Sequence, residues 1–131
     1  MTAATMSLGI TGIGQISIIV KDVERATAFY RDVLGLPLLF MVPGMAFFDC
    51  GGVRLMLGHA SSPELDHPSS ILYFRVPEIN AGYQRLVEQG VTIVAPPRLI
   101  APMATYDLWM AAFRDSEGNV HQLMSEVSRA A

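Results

Sequence analysis

Two stretches of this chain carry the same order of apolar and polar positions. The first begins with a β-rich run, Gln15-Ile16-Ser17-Ile18-Ile19-Val20, passes through Lys21-Asp22-Val23, and continues as a helix-like segment ending Leu34-Gly35-Leu36. Fifty-six residues later the plan returns as Ile71-Leu72-Tyr73-Phe74-Arg75-Val76, then Pro77-Glu78-Ile79, then a segment ending Gln89-Gly90-Val91. Val20, Asp22 and Val23 map onto Val76, Glu78 and Ile79, and the two helix exits align with a one-residue gap. A repeated strand–helix unit sets the architecture before any single residue is weighed.

The periodicities predict the elements. Val23, Ala26, Phe29, Tyr30, Val33 and Leu34 recur at three- and four-residue steps, so Asp22 caps a helix with one apolar face and Gly35 ends it. Strands are expected at about 37–42, 45–50 and 53–58, divided by the turn pairs Pro43-Gly44 and Gly51-Gly52. The polar, Pro-broken segment 59–69 reads as a linker. Beyond it come a strand at 70–76, a helix at about 78–89 with Ile79, Tyr83, Leu86 and Val87 on its apolar face, and strands at about 91–95, 107–114 and 119–125. Pro96-Pro97 and Pro102 predict a long loop over 96–106, which marks a candidate functional face. Residues 1–9 read as a loose tail. The expected organisation is one domain, 1–131, with modules at 10–58 and 70–126, each βαβββ.

Composition narrows the partners. Hydrophobic residues make up 51% of the chain, enough for a shared core. Charged residues are 16%, against an average near 25%, which fits either a subunit interface, as in a homodimer, or a well-filled monomer core. The nine basic residues are scattered, with no basic stripe, so nucleic-acid binding is not expected. No apolar run is long enough to cross a membrane, and the first residues lack a signal-peptide pattern. A single cysteine, Cys50, excludes an internal disulfide and fits a reducing, cytoplasmic setting, where it reads as a small buried hydrophobe.

The repeat, with D-x-x-x-A-x-x-F-Y-R-x-V-L-G-L from Asp22 and R-D-x-x-G-N from Arg114, resembles the vicinal oxygen chelate superfamily of glyoxalase I, bleomycin-resistance proteins, extradiol dioxygenases and methylmalonyl-CoA epimerase. The resemblance spans about residues 10–126. It implies an α+β fold, with two βαβββ repeats forming a curved mixed sheet around a cavity and helices outside. It also implies four metal-ligand positions on the concave face, which fall on Gln15, Met56, Ile71 and Gln122. Catalytic divalent metals take oxygen or imidazole donors, usually with anionic charge. Two amides, a thioether and a hydrocarbon are a poor set, so no metal and no other cofactor is expected. His59 and His67 sit in the linker and His121 faces the other side of its strand, so the histidines read as solvent-facing or structural.

Strand parity then lines the cavity. Gln15, Ser17 and Ile19 face inward, as do Arg54 with Met56, Ile71 with Tyr73 and Arg75, and Val120 with Gln122. Ile16, Ile18, Val20, Leu55, Leu57, Leu72, Phe74 and Val76 pack under the helices. Arg54 either meets an anionic ligand or reaches solvent, whereas Arg75 is expected to reach solvent or a surface acid. Trp109 stacks on a flat ligand or serves as a core or interface aromatic. Asp107 is expected at a surface strand edge, with general base as the alternative. The ligand-binding set is therefore Gln15, Ser17, Arg54, Met56, Ile71, Tyr73, Trp109 and Gln122, with no catalytic residue assigned. Two functions remain open: a metal-free protein binding a small, partly apolar or anionic molecule, and an enzyme of the same fold (lyase, isomerase or dioxygenase type) that is metal-independent or uses other ligands.

Overall fold

The computed structural model describes residues 7–129, so most of the expected tail lies outside the described residues. Its elements run β1 (Gln15–Ile19), α1 (Val23–Ala28), β2 (Leu38–Val42), β3 (Met45–Cys50), β4 (Val53–Gly58), β5 (Tyr73–Arg75), α2 (Ile79–Glu88), β6 (Ile93–Pro102), β7 (Tyr106–Arg114) and β8 (Val120–Ser128). They form two four-stranded mixed sheets, ordered β1-β4-β3-β2 and β5-β8-β7-β6. In each, the first strand pairs parallel to the last and the other pairings are antiparallel. The α+β class with a βαβββ-like repeat expected from the sequence is what the chain adopts.

The helices cover one face of the sheets. Asp22 accepts a hydrogen bond from the Arg25 N–H and Glu78 one from the Ala81 N–H, so both helices begin at the capping residues the repeat aligns. Ile18, Val20, Leu55 and Leu57 are buried with Ala26, Tyr30 and Phe48 in one core. Ile79, Leu86, Ala111, Phe113 and Leu123 form a second. The face away from the helices is the open face. Direct register partners place Phe40, Phe47, Met56 and Ser17 in one row across it, and Asp49, Arg54 and Gln15 in the next.

Three expectations change. The first helix is not regular to its end, because residues Phe29–Val33 form a wide π turn in which the Leu34 N–H donates to the Phe29 carbonyl. That turn lets Tyr30 enter the first core while Val33 packs on the second. The strand expected over 70–76 is only Tyr73–Arg75, and the stretch before it belongs to the linker's crossing. The long loop over 96–106 is mostly strand: β6 runs to Pro102 and only residues 103–105 turn. Prolines are tolerated there because β6 is an edge strand and Pro96 and Pro97 fall where its register shifts, so no ladder hydrogen bond is lost.

Candidate functional site

The expected site residues separate into groups. On the open face of the first sheet, Gln15 and Arg54 are register partners, and the Arg54 Nε donates to Gln15 Oε1 at 2.7 Å. The same guanidinium lies 5.6 Å from the centroid of Phe47, whose ring stacks on Phe40 at 4.5 Å. Gln15 Nε2 approaches the Met56 sulfur at 3.7 Å. This is a connected platform of one cation, one amide, one thioether and two aromatic rings, produced by strand alternation alone.

Ser17 and Met56 meet a different wall. With Ile19 they form the floor of a cavity of about 290 Å³ whose other side is the linker, including His59, His67 and Ser69. The linker is held to β1 by the Ile19 N–H, which donates to Ser69 Oγ at 3.1 Å. His67 Nδ1 lies 3.1 Å from the Pro68 carbonyl oxygen. A carbonyl only accepts, so this nitrogen carries the proton and Nε2 keeps its lone pair in the neutral ring. The cavity sits at the small end of ordinary ligand sites, which begin near about 300 Å³. The two linker histidines at this wall were missed from the sequence, since parity arguments say nothing about how an irregular segment crosses a sheet. The signal available was compositional: two histidines and four serines within 59–70.

On the second sheet Tyr73 and Gln122 are register partners. Gln122 Oε1 is buried and accepts no hydrogen bond among the described residues. Ile71 is half exposed just before β5. Trp109 stands apart: it pairs with Ser125 and Leu99 and packs against the second core, on the helix side. The odd-numbered positions Trp109, Ala111 and Phe113 share that face, so the indole is directed away from the other candidates. Asp107 is bonded to Arg129, consistent with a strand-edge role.

The position of each family metal ligand is now concrete. Gln15 Oε1 already takes a hydrogen bond from a guanidinium, Met56 offers a thioether, Ile71 offers hydrocarbon, and only Gln122 has an idle oxygen. Among the described residues no group of three or more His, Cys, Asp or Glu side chains is close enough to hold a metal ion. A divalent cation giving up hydration needs several hard donors, which this set does not supply.

A buried polar cluster lies behind the sheets. The Leu72 N–H donates to His121 Nδ1, so in the neutral ring Nε2 carries the proton. That nitrogen lies 2.9 Å from the Tyr30 hydroxyl, which in turn donates to Asp115 Oδ2 at 2.5 Å. Burial alone would raise the Asp115 carboxyl, but hydrogen bonds from His121, Tyr30 and Asn119 hold it down at about 2. Burial, then the Asp115 charge, pushes the Tyr30 hydroxyl far above its ordinary range. All three side chains are buried, so the cluster joins the π turn after α1 to the second sheet and does not face ligand.

Comparison with known proteins agrees with this geometry. A model of the Glyoxalase/Bleomycin resistance protein/Dioxygenase superfamily matches residues 12–123. The Bacillus subtilis (strain 168) protein named "Uncharacterized protein YraH" is 26% identical over 123 residues, covering 83% of this chain and 94% of that protein. Among solved structures, a member of the same superfamily from Sphaerobacter thermophilus is 27% identical with a TM-score of 0.73, covering 91% of this chain and 100% of that one. A lactoylglutathione lyase from Agrobacterium tumefaciens superposes with a TM-score of 0.67 at 20% identity, over 89% and 95% of the two chains, a likeness of fold alone. The chain therefore belongs to the Glyoxalase/Bleomycin resistance protein/Dioxygenase superfamily.

Proposed function

We propose that this protein binds a small, partly apolar or anionic molecule on the open face of its first sheet, beneath the linker, without the four-ligand metal centre of its metal-dependent relatives. The observation that carries the reading is the 290 Å³ cavity in which Ser17 and Met56 share walls with His59 and His67. Hydroxyls and imidazoles supply hydrogen bonds and Ile19, Leu65 and Pro68 supply apolar surface, the usual mixture of a small-molecule site. Arg54 and Gln15 lie on the same face and extend the site towards an acidic group on the ligand. The metal-free reading is supported by the guanidinium on Gln15 Oε1.

The test is a thermal-shift screen of small carboxylic acids and flat aromatics, repeated on Ser17→Trp. That position is exposed on the strand's open side, so the indole fills the cavity and leaves the helix-side core alone. Molecules that stabilise the wild type are expected to lose their effect in Ser17→Trp. Equal shifts in both proteins move the site elsewhere. Metal content after purification without chelator tests the other half of the reading, and stoichiometric metal overturns it.

A metal-independent enzyme of the same fold is the second reading, favoured by the free Nε2 of His67 as a proton acceptor at the same wall. Pairing with a second copy is also proposed, supported by Leu39, Phe40, Met41 and Val42, all at least 39% exposed on the edge strand β2. A concentration-independent monomer mass in sedimentation overturns it. A cytoplasmic location is the reading that the single cysteine supports.

A further inference from the structure

A further cavity, about 820 Å³, lies away from the linker. It opens where the β3–β4 turn of the first module faces β5 of the second, and it shares no lining residue with the linker cavity. Its floor is apolar, made by Leu34, Leu36, Phe74, Val76 and Leu123. Its rim is acidic: Asp49 and Glu126 against one base, Arg75. Arg75 lies 3.8 Å from Glu126, so that pair is largely self-compensating, while Asp49, whose register partner Arg54 donates instead to Gln15, forms no ion pair among the described residues. Asp49 uses Oδ1 to accept the Gly52 N–H, leaving its second oxygen uncommitted.

The backbone adds acceptors. β5 is the edge of its sheet. The Leu72 carbonyl and the Val76 N–H bond across to β8, so by the alternation of a parallel ladder the N–H and carbonyl groups of Tyr73 and Arg75, both of which line the cavity, point away from β8. Among the described residues no strand pairs with that edge. The corresponding corner of the other module is filled from within. There the turn residue Glu117 accepts hydrogen bonds from the N–H groups of Lys21 and Asp22 and from Arg25. Counting back from the turn glycines Gly52 and Gly118, the residue in the position of Glu117 is Gly51, which has no side chain to offer.

We propose that this open corner is a second ligand site, and that it takes an apolar molecule carrying a protonated amine. The apolar floor receives the body of the molecule. Asp49 and the outward carbonyls of Tyr73 and Arg75 receive the ammonium, which donates up to three hydrogen bonds and balances the surplus carboxylate. An anion of the same shape finds the outward N–H groups of Tyr73 and Arg75 but meets two carboxylates, with the Arg75 guanidinium already engaged.

Cys50 reports on the site directly, because it lines this cavity and is the chain's single cysteine. Burial, then the Asp49 charge, pushes its thiol up, so alkylation is slow and sensitive to cover. The experiment follows Cys50 alkylation by iodoacetamide in the full chain, with 2-(1-naphthyl)ethylammonium or 1-naphthylacetate as probe. The ammonium is expected to slow alkylation at saturation and the carboxylate is not. Asp49→Asn, which keeps an oxygen for the Gly52 N–H, is expected to raise the ammonium concentration needed for protection about tenfold. Glu126→Gln, outside the turn, is expected to raise it about threefold. Failure of the ammonium to protect, equal protection by the carboxylate, or unchanged protection in both variants overturns the proposal.

Discussion

The two corners where the modules meet are built from the same turn and end differently. Each hairpin carries Asp-x-x-Gly, as Asp49 to Gly52 and Asp115 to Gly118, with both final glycines at positive φ, where a side chain is strained. In the second module the turn closes on α1. Asp115 accepts from the Tyr30 hydroxyl, and Glu117 accepts two backbone N–H groups at the helix start, where a carboxylate also opposes the helix dipole. In the first module the Asp49 side chain bonds, among the described residues, only within its own turn, Gly51 offers no side chain, and an 820 Å³ cavity stands at the corner. Fifty-six residues after Tyr30 the second helix has Leu86, which packs in its core and has no polar atom to meet a turn. The comparison separates a repeated backbone from the few side chains that decide whether it becomes a joint or an opening.

The closed corner is expected to dominate stability. Asp115→Ala leaves the buried Tyr30 hydroxyl without its acceptor and should cost about 3 kcal/mol, read from the midpoint of urea unfolding. A pH series sharpens the point. The folded Asp115 carboxyl is held at about 2, below its ordinary value of 3.8. Its contribution is therefore fully present above about pH 4 and lost as the pH falls towards 2, amounting to roughly 2 kcal/mol. Wild type and Asp115→Asn should converge in stability over that interval; parallel curves would assign the acid sensitivity to another group.

Smaller effects are expected outside the core. Glu117→Gly imitates Gly51 and removes two backbone partners, at about 1 kcal/mol, with faster hydrogen exchange at the Lys21 and Asp22 amides as the local sign. Unchanged exchange there would mean that the turn does not hold the helix start. Asp49→Ala, at the exposed and open corner, should change stability by about 0.5 kcal/mol or less. A loss as large as that of Asp115→Ala would erase the distinction between the corners.

Much of this was legible in the chain. The alternation around Ile18, Val20, Leu55 and Leu57 assigned the helix-packed face, and its complement assigned Gln15, Ser17, Arg54 and Met56 to the open face, because a strand's side chains alternate whatever surrounds it. His121 was correctly placed opposite Gln122, yet nothing in the spacing announced its partners Tyr30 and Asp115. Pro96-Pro97 was read as a loop because a proline's cost depends on whether its strand has a neighbour on that side, which the sequence does not state. Trp109 was read either as stacking on a flat ligand or as a core or interface aromatic, and its register puts it with Ala111 and Phe113 towards the helices.

Local spacing thus determined the two modules, their element order and the two faces of each sheet, since these follow from periods of two and of about 3.6 residues within a single segment. Tertiary structure alone decided which turn reaches a helix, where the linker crosses, and which polar groups are buried together. Tyr30 and Asp115 stand 85 positions apart, and Ile19 and Ser69 50. Contacts at that range depend on how whole modules dock, and no period along the chain records the docking.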